Sequence, residues 1–87
     1  MEKVVTVTEV DGEGFDGLMN ERVTLFCLNY IYTGKLEGVN EQYVKLVDAG
    51  IVYETGELCT KDWEDMQRLP NAVYVMKSAI ESFMILK

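Results

Sequence analysis

The stretch Leu18–Ala49, LMNERVTLFCLNYIYTGKLEGVNEQYVKLVDA, decides the fold. It reads as three consecutive β-strands with short links. The first, Val23 to Leu28, is rich in β-branched and aromatic residues, which suit a pleated, half-buried surface. The second, Tyr30 to Val39, alternates. Tyr30, Tyr32 and Gly34 share one face; Ile31, Thr33 and Lys35 share the other. The third is Tyr43 to Val47. Leu28-Asn29 reads as a two-residue turn, because Asn tolerates the left-handed backbone that tight hairpins need. Asn40-Glu41-Gln42 separates the second and third strands. Gly34, inside a strand pattern, marks a bend, a bulge or a close backbone approach. A long strand bent at a glycine is how a small antiparallel sheet curls into a barrel.

Upstream, Lys3 to Val10 (KVVTVTEV) reads as a strand or an extended arm. Asp11 to Gly17 (DGEGFDG) reads as a solvated loop anchored by Phe15. Its acids lack the calcium-hand spacing and the terminal bidentate Glu. Its glycines do not make a dinucleotide fingerprint, because a strand pattern follows where that motif needs a helix.

Downstream, Ile51-Val52-Tyr53 extends the third strand after a kink at Gly50. Glu54 to Glu57 reads as a turn. Thr60 suits the N-cap of a short helix, with Asp62, Glu64 and Asp65 at the positive end of its dipole. Trp63, Met66 and Leu69 then fall on one face, and Pro70-Asn71 stops the helix. Two more strand runs follow, Ala72 to Met76 and Ile80 to Leu86. Only Lys77-Ser78-Ala79 lies between them, which predicts a sharp corner. The expectation is one mostly β domain over residues 1–87: a small, strongly bent five-stranded antiparallel barrel. It has an N-terminal strand or arm (1–17) and an insertion (50–71) carrying a short helix between strands three and four.

Composition bounds the chemistry. The chain has 87 residues and no histidine, so it holds no imidazole base or ligand. Its formal charge of -7 repels polyanions at long range. Cys27 and Cys59 form no C-x-x-C pair and read as reduced thiols of a cytoplasmic protein. The N-terminus is too polar for a signal peptide, and no apolar run approaches the roughly 20 residues of a membrane span. Carboxylates are numerous, but none is paired with a base or nucleophile at a defined spacing. Asp62, Glu64 and Asp65 are more simply a helix's first turn. An enzyme is not expected, and neither a metal nor a cofactor is called for.

The bent second strand and the three-residue corner resemble the Sm-like family, the Sm, LSm and Hfq ring proteins. Leu18, Val23, Gly34, Leu36, Asn40, Leu46, Asp48 and Ala49 fill the slots of its first motif. Lys77-Ser78-Ala79-Ile80-Glu81-Ser82-Phe83 resembles the second motif of Hfq. The match covers more than half of the chain. Departures are Asn20 for a glycine, Asn40 for the motif Asp, Val44 for the uracil-reading Asn and Ser78 for a His or Gly. The base-stacking position falls on Gln42, or on Tyr43 if the loop is one residue longer.

The resemblance implies a homo-oligomeric ring of about five to seven copies, in which the fourth strand of one subunit pairs with the fifth of the next. Val73, Val75, Ile80, Phe83 and Ile85 would join subunits. Asn40, Gln42, Tyr43, Lys77 and Ser78 would meet at the pore and bind RNA or single-stranded DNA. Tyr43 also reads as an ordinary strand residue, and Lys77 as a solvated lysine or subunit contact. The acidic charge and the lost family residues favour a competing reading, a ring-shaped structural or adaptor protein without nucleic-acid binding. A small acidic chain with an appended arm also suits a phage or mobile-element protein.

Overall fold

A computed structural model describes residues 12–86. The expected N-terminal arm, Lys3 to Val10, lies outside the described residues. Among the described residues the chain is mostly β and is built on one antiparallel sheet of six strands. They are β1 (Arg22–Cys27), β2 (Ile31–Val39), β3 (Tyr43–Glu54), β4 (Asp65–Arg68), β5 (Val73–Met76) and β6 (Ile80–Met84). A single helical turn, α1 (Gly14–Gly17), precedes them, and a 3-10 turn, Lys77–Ala79, joins β5 to β6. The order across the sheet is β4-β3-β2-β1-β6, with β5 also on β3. Among the described residues no ladder closes the sheet on itself.

β3 is the axis. It runs through Asp48-Ala49-Gly50 without ending, and its two halves take different partners. Tyr43 to Leu46 pairs with β5, and Gly50 to Glu54 pairs with β4. Gly50 faces Arg68 and Leu46 faces Val73, so the register slips by a single residue between the two short strands. β4 and β5 are therefore nearly one strand along β3, interrupted at Pro70. Proline has no N–H to give to a ladder. The amide of Leu69 still reaches Ala49 O at 2.8 Å just before the break.

The expected helix at Thr60 is not formed. Turns cover 58–62 and the chain then enters β4. Thr60 does cap a local structure, but its hydroxyl donates to Glu57 O at 2.8 Å and holds a turn. The side chains that cap helices also stabilise turns. A helix of two to three turns is marginal alone, whereas β4 gains a ladder by covering the second half of β3. The insertion thus completes the sheet instead of standing apart from it.

Other expectations are met. The first hairpin turns at Leu28-Asn29, closed by Cys27 N–H to Tyr30 O at 3.0 Å. Asn29 does so without a left-handed backbone; among the described residues Asn20 and Asp48 are the non-glycine residues with positive φ. Gly34 is a close approach. An added Cβ there would lie 3.0 Å from Ala49 Cβ and 3.1 Å from Val47 O. The β2–β3 register also shifts beside it, between Thr33 and Lys35. Alternation places Val23 and Leu25 of β1, Leu36 of β2, Val44 and Leu46 of β3 and Val75 of β5 in one buried cluster with Ala49. Phe15 and Leu18 pack against that cluster from the N-terminal loop, as do Ile80 and Phe83 from β6. Phe15 stacks on Phe83 with centroids 3.9 Å apart, so Phe15 anchors its glycine-rich loop as expected.

Candidate nucleic-acid interface

The turn after β2 and the corner after β5 are remote in sequence and adjacent in space. The reason is local. Asn40 accepts two backbone N–H bonds at its Oδ1, from Gln42 and Tyr43, each at 2.8 Å. Its own amide donates to Tyr43 O at 3.0 Å. This Asx-type turn fixes the start of β3. Tyr43 then pairs with Met76, the last residue of β5. The next amide, that of Lys77, donates to Gln42 O at 2.8 Å. On its other side the corner accepts a bond from the first hairpin, Leu28 N–H to Ala79 O at 3.1 Å.

Asn40, Gln42, Tyr43, Lys77 and Ser78 therefore share one end of the sheet. Their side chains are in different states. Asn40 and Gln42 are exposed, but the Asn40 carbonyl oxygen is spent on its own turn. Tyr43 is half-buried and meets Tyr74 edge to face, with centroids 5.3 Å apart. The Lys77 ammonium sits 5.5 Å from the centroid of Phe15. Ser78 is exposed at the apex of the corner. Glu41 is exposed in the same turn and brings a like charge towards any phosphate.

Comparison with protein-family models, curated proteins and solved structures finds no match.

The residues expected at a subunit contact divide. Val75 is buried in the core of the chain, and Val73, Ile80 and Phe83 pack against that core. Ile85 is exposed. The outward positions of β5 are Tyr74 and Met76, which the two-residue period of Ala72-Val73-Tyr74-Val75-Met76 already separates from the valines. Tyr74 and Phe15 are the site-adjacent residues that motif matching missed. Tyr74 also lies near Lys45, whose ammonium is 5.9 Å from its ring centroid. Lys45 is bound by Glu37 at 2.9 Å, and that hydrogen bond raises its pKa above the usual lysine value.

An open hollow of about 380 Å³ lies beside this end, lined by Gly12, Glu13, Gly14, Gly17, Leu18 and Phe83. Among the described residues no His, Cys, Asp or Glu group is arranged to hold a metal ion. None of the helices there is long and apolar enough to cross a membrane.

Proposed function

We propose that this chain is an Sm-like subunit with a strongly bent barrel. It self-assembles into a homo-oligomeric ring and binds RNA or single-stranded DNA with the Asn40–Tyr43 turn and the Lys77–Ser78 corner. The observation that carries the reading is the Lys77 N–H to Gln42 O bond, which brings these two segments to one end of the sheet. Two backbone features agree with the motif slots. Asn20, in place of a glycine, has φ 66°, and Asp48, in the third-strand slot, has φ 46°. Among the described residues the outer edges of β5 and β6 are unpaired. An open edge is an invitation to pair, and two different edges make a head-to-tail contact that closes into a ring. Tyr74, Met76, Met84 and Ile85 are exposed apolar residues on or next to those strands.

Repetition around a ring would concentrate Lys77 at the pore, and Tyr43 and Tyr74 offer flat groups for bases. A second reading, a ring-shaped structural or adaptor protein, is favoured by the -7 charge and by Glu41 beside the turn.

The test is native mass together with fluorescence anisotropy on oligo-uridine and single-stranded DNA at low salt. Lys77→Glu is expected to abolish binding and leave the oligomer intact. Unchanged affinity in that variant removes the pore site; a ring that binds no nucleic acid leaves the adaptor reading.

A further inference from the structure

The exposed apolar side chains Tyr74, Met76, Met84 and Ile85 belong to the strand edges discussed above, but Tyr30 and Tyr53 do not. In the β2–β3 ladder Tyr32 faces Ile51 and Ile31 faces Val52, so one further step sets Tyr30 beside Tyr53. The two-residue period of a strand puts Tyr30, Tyr32, Ile51 and Tyr53 on one face. The contacts agree. Tyr30 and Tyr32 meet edge to face with centroids 6.1 Å apart. Tyr53 Oη donates to Oε1 of Gln67, the partner of Ile51 on β4, at 3.1 Å. Tyr32 packs against the core and forms the inner border of the patch, while Tyr30 and Tyr53 are 52% and 57% exposed. The charge beside these rings has one sign. Glu54 follows Tyr53 and faces Asp65 across the β3–β4 ladder, and both are exposed. Like charges directly opposite in a sheet are destabilising, and no ion pair among the described residues relieves either carboxylate. On the β6 side, burial first and the exposed Glu81 second raise the pKa of Cys27; burial first and Cys27 second raise that of Tyr32. Glu81, Cys27 and Tyr32 are therefore neighbours, and carboxylates border the patch on two sides.

We infer that this tyrosine patch with its acidic border is a docking surface for an arginine-bearing segment of a protein partner. Exposed aromatic surface marks interaction sites, and tyrosine and arginine are enriched in them. A guanidinium stacks on a tyrosine face and gives its N–H fork to carboxylates. Lysine brings the charge without the plane or the fork. A partner cation also relieves the opposition of Glu54 and Asp65, which gives that pairing a reason the free chain lacks. A phosphate backbone meets the reverse, since the same carboxylates repel it. The patch lies at the start of β2, whereas the Asn40–Tyr43 turn follows its end. Docking here goes beyond the nucleic-acid reading and does not depend on it.

The experiment is fluorescence anisotropy of a labelled octapeptide of alternating glycine and arginine, titrated with the full chain. The same peptide with lysine for arginine is the comparison, and circular dichroism checks the fold of each variant. Salt is held at about 0.1 M, where exposed charges more than about 10 Å apart are largely screened. The arginine peptide is expected to bind, and more tightly than the lysine peptide. Tyr53→Ala and Asp65→Asn are each expected to weaken it about two- to fivefold, the loss of one exposed cation contact. Tyr53→Phe keeps the ring and is expected to bind like the parent. So is Asp16→Asn, which removes an equal charge from α1. Tyr30→Ala serves in place of Tyr53→Ala if the latter unfolds. A parent chain that binds neither peptide overturns the inference. So do tyrosine variants with parental affinity, equal losses in Asp65→Asn and Asp16→Asn, or equal affinity for the two peptides. Tyr53→Ala that loses oligo-uridine affinity while keeping peptide affinity also overturns it and assigns the patch to nucleic acid. The Lys77 site is read by its own variant, so the two proposals fail separately.

Discussion

The amide of Lys77 donates to the carbonyl of Gln42 at 2.8 Å. The bond is backbone to backbone, so it survives replacement of either side chain. For this reason Lys77→Glu isolates the ammonium. The variant keeps the corner in place and changes only the charge above Phe15. Lys77 is partly exposed, and the variant's melting temperature is expected to stay within a few degrees of the parent, since a solvent-accessible contact between a cation and a ring is worth about 0.5–1 kcal/mol.

Gly34→Ala tests the close approach of β2 to β3. The new methyl would meet Ala49 Cβ, Ala49 Cα and Val47 O, all at 3.0–3.1 Å, and two of these belong to backbone that cannot swing away. Overpacking of this kind costs about 1–3 kcal/mol. Urea unfolding is expected to show that loss. A variant as stable as the parent would mean that the sheet is not bent here.

Thr24 and Thr33 are cross-strand partners and both are fully buried, yet their hydroxyls differ. Thr24 Oγ1 donates to Leu86 O, whereas Thr33 Oγ1 has no partner among the described residues. Replacing a satisfied hydroxyl loses about 1 kcal/mol, and replacing an unsatisfied buried one recovers a similar amount. Thr24→Val is expected to lower stability and Thr33→Val to raise it, each by about 1 kcal/mol in denaturant titrations. Shifts of the same sign would refute the distinction.

Asp48 combines two roles that substitution separates. Its φ of 46° needs a residue that tolerates the left-handed region, and its carboxylate serves two arginines. Asp48→Asn keeps the backbone preference and gives up exposed ion pairs, at a cost below about 1 kcal/mol. Asp48→Val loses both and is expected to cost about 1–3 kcal/mol more. Equal losses would show that charge, not backbone conformation, is what matters at this position.

The two thiols are set apart by burial. Cys27 is half-buried; desolvation first, and the nearby Glu81 carboxylate second, push its pKa above the ordinary thiol value. Cys59 is exposed. Thiolate is the reactive form, so iodoacetamide at about pH 8 is expected to label Cys59 well before Cys27. A raised acid pKa means that the folded state holds its proton longer than the unfolded state. Its contribution to stability is present below the unfolded value and is lost as pH rises through the folded one. Unfolding midpoints are therefore expected to fall on the alkaline side of the thiol range, and Cys27→Ala to flatten that fall.

What the residues announced and what they hid follow from range. The strand runs that begin near Val23, Tyr30 and Tyr43, the glycine at 34 and the three-residue corner at Lys77 are local signals, and each appears in the structure as read. The segment Thr60–Leu69 misled because its caps and acids suit a turn as well as a helix. What decides between them is the unpaired half of β3, which no window around Trp63 contains. Alternation along Val73-Tyr74-Val75-Met76 turns Val75 inward and Tyr74 outward, a period that the motif match to a subunit contact did not weigh. The convergence of Arg22 and Arg68 on Asp48 was invisible for the same reason, since it spans three ladders.

β3 divides the molecule in a way that outlasts its covalent continuity. The first three strands form a meander with two bare flanks, one along β3 and one along β1. The remainder of the chain fits both, with β4 and β5 on the first flank and β6 on the second. The loop between β3 and β4 is the single covalent bridge from one part to the other. A chain cut in that loop is expected to stay joined through the ladders on either side, and two separately made pieces to rebuild the domain. The protein is a clasp of two complementary fragments, and a reporter split at this loop would reassemble on it.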